Sequence, residues 1–239
     1  MRRVAILLVP LLVGLAASAC GGSETTAPTT VSHPQVDVAQ AAARTGAAAS
    51  ARFTLSGTTG RDGPFTGEGE LAGERARLAL HFSEPGGLLP ADVEVVYADR
   101  SVFVRLSGLA GLLPGLVSGG AEWVGIDLAA YGDLLDEYLD LGKGDPGRLL
   151  ETLEAAGAFE PVGAERVRGV ETVRYRGSVA SNQVDVWIGA DELVRRVIVR
   201  DDDGGHAELE LFDFGADVDI EPPPAEEVTP LADLLQGAF

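Results

Sequence analysis

The stretch Gly108-Leu-Ala-Gly-Leu-Leu-Pro-Gly-Leu-Val117 is too apolar for a wet loop and too rich in Gly and Pro for a long helix. Apolar side chains on an irregular backbone need a surface to cover, and the flanking segments say what that surface is. On the N-terminal side the chain alternates at the strand period. Phe53 and Leu55 sit between Arg52, Thr54 and Ser56, and Ala76, Leu78, Leu80 and Phe82 between Arg75, Arg77, Ala79 and His81. Val93, Val95 and Tyr97 continue the pattern, and an Asp99-Arg100 turn leads into Ser101 to Leu106. On the C-terminal side, Trp123 opens the strand-like Val124 to Leu128, and two amphipathic helices follow. Asp127 caps the first, whose Leu128, Tyr131, Leu134, Leu135 and Tyr138 share one face before Gly142. Asp145 caps the second, Pro146 takes its first position, Leu149, Leu150, Leu153 and Ala156 form its stripe, and Gly157 ends it.

A second β run begins after these helices. Arg168-Gly169 turns the chain into Val173, Tyr175, Gly177 and Val179. Val184, Val186 and Ile188 then share one face of a strand whose other face carries Asp185 and Trp187. Leu193 to Arg200 and His206 to Phe214 complete the meander across Asp201-Asp-Asp-Gly-Gly205. Pro222-Pro-Pro224 rules out a central strand, so Asp219 to Val228 is expected to run extended over the surface, with a short docked helix at Leu231 to Leu235. Another helix is expected in the Ala-rich Gln35 to Ala49, with Val38, Ala41, Ala42, Thr45 and Ala49 at helical steps. The expected fold class is α+β: a curved antiparallel sheet, a half-barrel of about ten strands, covered on its concave face by helices.

The N-terminus lies outside that fold. Met1-Arg-Arg3, the apolar run Val4 to Ala17, and Ser18-Ala19 before Cys20 read as an export signal over residues 1–19, the run being shorter than the roughly 20 residues of a membrane span. Leu15-Ala-Ala-Ser-Ala-Cys20 resembles a bacterial lipobox, in which the cysteine receives a diacylglyceryl group and becomes the mature N-terminus. Ala17 stands where lipoboxes usually carry Leu, Val or Ile, and plain secretion with an incidental cysteine is the alternative. Residues 20–34, rich in Gly, Thr, Ser and Pro, form a tether, and residues 35–239 a single domain. Cys20 is the sole cysteine, so no internal disulfide stabilises the chain.

The net charge of −19 becomes −21 once Arg2 and Arg3 leave, which excludes nucleic acid as a natural partner. It also places membrane attachment on an acylated Cys20 and not on the protein surface. No catalytic constellation is evident. Gly115-Leu-Val-Ser118-Gly-Gly120 misses the Gly-x-Ser-x-Gly spacing, and His33, His81 and His206 form no pair at metal-ligand spacing. Asp201 to Asp203 lack the alternating ligands and distal glutamate of a calcium loop and read as a solvated hairpin turn. No glycine loop precedes Lys-Ser/Thr to cradle phosphate. The expected protein is therefore not an enzyme, and it uses no metal or cofactor.

What remains is apolar loop surface. Gly87-Leu-Leu-Pro90 and Gly111-Leu-Leu-Pro114 repeat one tetrapeptide, and both loops either fold onto an ordinary core or form the mouth of an apolar cavity. The candidate lining is Leu109, Leu112, Leu113, Leu116, Tyr131, Leu134, Leu135 and Tyr138, with a dry, filled core as the other reading.

The order of elements resembles a known family. The lipobox, Thr/Pro tether and Ala-rich helix ending in Ala51-Arg-Phe-Thr-Leu55 are followed by a meander and Trp123 before two helices. Gly163-Ala-Glu-Arg-Val-Arg-Gly-Val170 then leads to Thr172-Val-Arg-Tyr175, and Val218-Asp-Ile-Glu-Pro-Pro-Pro-Ala-Glu-Glu-Val228 closes the chain. Together these resemble the LppX/LprG-type lipoproteins of actinobacteria, similar in fold to the LolA/LolB lipoprotein carriers. The resemblance implies a half-barrel closed by helices around a lipid-sized cavity, and a protein that binds or carries an acylated lipid or glycolipid at the outer face of the cell membrane. The same fold also serves sensing and protein binding, so a cell-envelope sensor or protein-binding module is the alternative.

Overall fold

The computed structural model describes residues 36–59, 63–83, 92–98, 100–105, 122–130, 146–154, 157–179, 182–201 and 204–237. Helix α1 (Val38–Gly46) comes first, its N-terminus capped by the Asp37 carboxylate, which accepts from the Ala39 and Gln40 amides. One meander follows: β1 (Ser50–Thr59), β2 (Gly63–Ala72), β3 (Arg75–Phe82), β4 (Asp92–Ala98), β5 (Ser101–Arg105) and β6 (Trp123–Asp127). Helix α2 (Pro146–Glu154) precedes the second: β7 (Glu160–Val167), β8 (Val170–Val179), β9 (Asn182–Gly189), β10 (Val194–Arg200) and β11 (His206–Phe212). A 3₁₀ turn (Ala225–Glu227), a short β12 (Val228–Pro230) and helix α3 (Leu231–Gly237) end the chain.

All twelve strands join one open, curved sheet in the order β12-β6-β5-β4-β3-β2-β1-β11-β10-β9-β8-β7. The first strand of one meander pairs with the last of the other, with Phe53 opposite Leu211 and Leu55 opposite Leu209, so the two meanders make a single surface. Pairing is antiparallel except between β12 and β6. Opposite residues of neighbouring strands face the same side, so the alternation read within each strand adds up across the sheet. The inner face carries Phe53, Leu55, Leu78, Val95, Val102, Val124, Ile126, Tyr175, Val186, Ile188, Leu209 and Leu211, all buried. The outer face carries most of the charge. Val38, Ala41 and Ala42 of α1 and Leu150 and Leu153 of α2 are buried in the same cluster as inner-face residues of β1, β3 and β8 to β11.

The described residues form twelve strands where about ten are expected. β2 escapes a reading of apolar period because Gly67 and Gly69 fall on its inner face, where neighbours occupy the space of their missing side chains. A Cβ on Gly69 would lie 2.4 Å from the Phe53 ring. β7 shows no apolar face because almost all of it is exposed, and β12 is three residues long. The expected turn at Arg168-Gly169 is present with both residues at positive φ, 47° and 82°, the conformation of a two-residue hairpin turn. Of Asp219 to Val228, expected to run extended over the surface, 219–224 have no regular structure, but Ala225–Glu227 form a 3₁₀ turn, Val228 opens β12, and Ile220 is buried in one cluster with Val96, Ala98 and Trp123, so this segment packs on the outer face.

Candidate functional site

The inner face divides into two apolar clusters. One is sealed: α1 and α2 bury their stripes on it, and the Thr45 hydroxyl, buried in α1, accepts from the Val194 amide at 2.8 Å. The other consists of Phe82, Val93, Val95, Val102, Val124 and Ile126, from β3 to β6. Around it lie Phe65, Leu80, Tyr97 and Val104, inner-face residues that stay half-buried. Phe65 and Leu80 border both clusters, and the Phe65 and Phe82 rings are tilted at 42° with centroids 6.0 Å apart. Leu128, which opens helical residues 128–130, and Leu231 and Leu234 of α3 pack here, all three half-buried. An inner face sealed under two helices at one end and, by the described residues, incompletely covered at the other offers apolar contact to a guest at the second.

The outer face has a different chemistry. Asp185 is 0 % exposed, yet it lies on the charged side of β9. Arg174 donates to both its oxygens at 3.1 and 2.9 Å, Arg176 donates through Nε at 2.8 Å, and Arg200 through Nη1 at 2.7 Å. Burial pushes the Asp185 carboxyl up, but the hydrogen bonds from Arg174, Arg176 and Arg200 outweigh it and hold the group well below the usual carboxylate range. The same bond to Asp185 raises Arg174. Next to this cluster, Trp187 donates its indole N–H to Glu165 at 2.8 Å, and the guanidiniums of Arg174 and Arg196 lie 5.0 and 5.4 Å from its ring. Glu210, where burial is again outweighed by Arg196 and Arg168, is also lowered. Every member has a partner, so the network is a structural brace of the outer face with no free group poised for chemistry.

Two polar grooves mark the outer face of the first meander. One, of about 290 Å³, lies between Arg77, Glu94, Arg105 and Trp123 and the segment Pro222-Pro-Pro224. The other, of about 520 Å³, runs over Thr54, Thr66, Ala79 and Glu94. Both mix charged side chains with apolar groups, Val96, Trp123 and the three prolines in the first and Ala79, Leu80 and Val93 in the second, and an acyl chain in either would lie against charge.

The eight expected lining residues, Leu109, Leu112, Leu113, Leu116, Tyr131, Leu134, Leu135 and Tyr138, lie outside the described residues, as do Cys20, the two Gly-Leu-Leu-Pro loops, Ser118, His33 and Asp145. The adjoining signals are in place: Asp127 accepts from the Ala129 amide at 2.8 Å at the start of helical residues 128–130, and Pro146 opens α2. His81 pairs with Asp92 and His206 with the Thr58 hydroxyl. Among the described residues no group of three or more His, Cys, Asp or Glu could hold a metal ion, and no helix is long and apolar enough to cross a membrane. Asp201 accepts from the Gly205 amide at 2.6 Å, closing its own turn. The reading of the sequence missed Phe65, whose alternation is hidden among glycines, and it gave no reason to set Leu80, Tyr97 and Val104 apart from the core.

No family model matches the chain, and no curated protein does. Among solved structures the chain is similar to LprF from Mycobacterium bovis, at 12% identity over 79% of this chain and 96% of that one, with a TM-score of 0.49. It is similar to an uncharacterized conserved protein from Thermus thermophilus at 13% identity, 80% and 96% coverage and a TM-score of 0.44. A third likeness is to the Pseudomonas aeruginosa MucA/MucB complex, at 17% identity and a TM-score of 0.41, where 80% of this chain spans 62% of the matched one. At these identities and TM-scores the likenesses carry no argument about ligand, activity or partner.

Proposed function

We propose that this protein is an envelope lipoprotein, anchored through an acylated Cys20, whose single domain over residues 35–239 holds an acylated lipid against the concave inner face of its sheet. It binds and does not catalyse. The observation that carries this reading is the incomplete cover that the described residues give β2 to β6, where the apolar Phe65, Leu80 and Val104, with Tyr97, face inward and remain half-buried beyond the sealed cluster. An acyl chain of about sixteen carbons loses roughly 12 kcal/mol of unfavourable exposure on full burial at ~0.8 kcal/mol per methylene, so its site has to be extended and apolar. Five strands about 4.8 Å apart give such a surface a width of roughly 19 Å. Leu109, Leu112, Leu113, Leu116, Tyr131, Leu134, Leu135 and Tyr138, which border these strands in sequence, supply the remaining wall, while α1 and α2 close the concave side at its other end.

The test is native mass spectrometry of the mature protein carrying Cys20→Ser, made in a related host. Bound diacyl or triacyl species are expected, and Leu112→Trp should displace them with little loss of stability. Empty protein across repeated preparations would overturn the reading in favour of a sensor or protein-docking module.

A further inference from the structure

The last described stretch of the chain hooks around one edge of the sheet. On the outer face Val218, Ile220 and Val228 pack with Val96, Ala98 and Trp123, and Arg75 donates to the Ile220 carbonyl at 3.1 Å. β12 then adds to β6 in parallel, with Val228 opposite Trp123, Thr229 opposite Val124 and Pro230 opposite Gly125. α3 follows at the next residue and sets Leu231 and Leu234 against the inner-face cluster of Val102, Val124 and Ile126. One short segment thus crosses from outer face to inner face at the edge beside the proposed lipid surface.

Its attachment is weak where that of the other helices is strong. Ala41 of α1 and Leu153 of α2 are 0 % exposed, whereas both anchoring leucines of α3 are half-buried. The β12 ladder is three residues long, and Pro230 has no N–H to give it. Val228 seats on β6 only because residue 125 is glycine: a Cβ there would stand 2.8 Å from Val228 Cγ1. Elements with few buried contacts and a short ladder at a sheet edge open locally before the rest of a domain does.

We propose that β12 and α3 form the gate of the inner apolar site: peeling them from β6 uncovers the inner face of β3 to β6 and admits the acyl chain. This rests on reading that face as the ligand surface. The geometry that seats Val228 also supplies a lock, because the position of its Cγ1 relative to a Cβ at residue 125 is that of one disulfide sulfur to the opposite Cβ.

The experiment follows uptake of a fluorescent 18-carbon polyene fatty acid by the mature protein with Cys20→Ser, Gly125→Cys and Val228→Cys, oxidised and then reduced. Oxidation should slow uptake about tenfold or more and reduction restore it, with the final amplitude unchanged. Leu231→Ser with Leu234→Ser, in the Cys20→Ser protein, should speed uptake by about tenfold. Equal rates in oxidised and reduced protein, with the disulfide verified by mass, would overturn the gate while leaving the binding site intact. Should the disulfide not form, an unaltered rate in the double-serine variant would overturn it. Absence of any amplitude in every form would instead remove the ligand site, and the gate with it.

Discussion

Leu78 and Leu80 point the same way from β3, two residues apart, and truncating each to alanine separates a packed core from an open apolar surface. Leu78 is 2 % exposed, with Gly69 and Val95 opposite it in the neighbouring strands. Losing three carbons there costs about 2.4 kcal/mol of transfer free energy at ~0.8 kcal/mol per methylene. Adding the cavity left in a site that collapses only partly brings Leu78→Ala to about 3–4 kcal/mol. Leu80 is half-buried, so the transfer loss is about half, roughly 1.2 kcal/mol, and a neighbourhood already open gains little new cavity. The expected gap of about 2 kcal/mol amounts to some 25-fold in the unfolding equilibrium. Urea titration followed by tryptophan fluorescence reads it, since Trp123 and Trp187 are 5 % and 2 % exposed and both enter water on unfolding. Leu80→Ala should also weaken fatty-acid binding, whereas Leu78→Ala should leave it unchanged among folded molecules. Equal destabilisation by the two substitutions, with binding unaffected, would show that Leu80 is ordinary filled core and would refute the reasoning.

Three further outcomes follow from the outer face and the N-terminus. Asp185→Asn leaves three guanidiniums around a neutral buried group and should cost about 3–5 kcal/mol in urea, far more than a surface substitution. Because Asp185 and Glu210 are lowered in the folded protein, the stability they contribute is complete above their unfolded values near pH 4 and is lost as pH falls through the lower folded values. Acid titration by circular dichroism should therefore show stability falling below about pH 4, less steeply in Asp185→Asn; a loss beginning near pH 6 would contradict this assignment. Cys20→Ala should release the protein from the membrane fraction into the medium, as immunoblotting of the two fractions would register; retention in the membrane would sink the anchor assignment.

Much of this architecture was legible in the sequence where one face of an element is buried and the other wet. The stripe of α1 at Val38, Ala41, Ala42 and Thr45 is the buried one, although Ala49 falls beyond the helix and is exposed. β3 and β4 bury Ala76, Leu78, Phe82, Val93 and Val95 of the alternation that their sequences mark, while Leu80 and Tyr97 stay half-buried and Val96 and Ala98 are buried on the other face. What escaped is what depends on distant partners. β2 shows no apolar period because the apolar groups over Gly67 and Gly69 belong to Leu80 and Phe53 on neighbouring strands. Asp185 was rightly set on the charged face, but nothing local says that three arginines, from β8 and β10, converge to bury it. β12 exists only by pairing with a strand about a hundred residues away in sequence. The expected lining near the middle of the chain lies outside the described residues, and the half-buried inner-face set of Phe65, Leu80, Tyr97 and Val104 required the register.

The central claim is that an acyl chain lies on the inner face of β2 to β6. Its most direct test is methyl NMR of the Cys20→Ser protein with a long-chain fatty acid carrying a nitroxide midway along its tail. Methyl resonances of Leu80, Val95 and Val104 should broaden first and saturably, while those of Ile198 on the outer face and Val186 in the sealed cluster stay sharp. Broadening of Ile198 in preference to Leu80 and Val104, or no selective broadening at saturating fatty acid, would contradict the account.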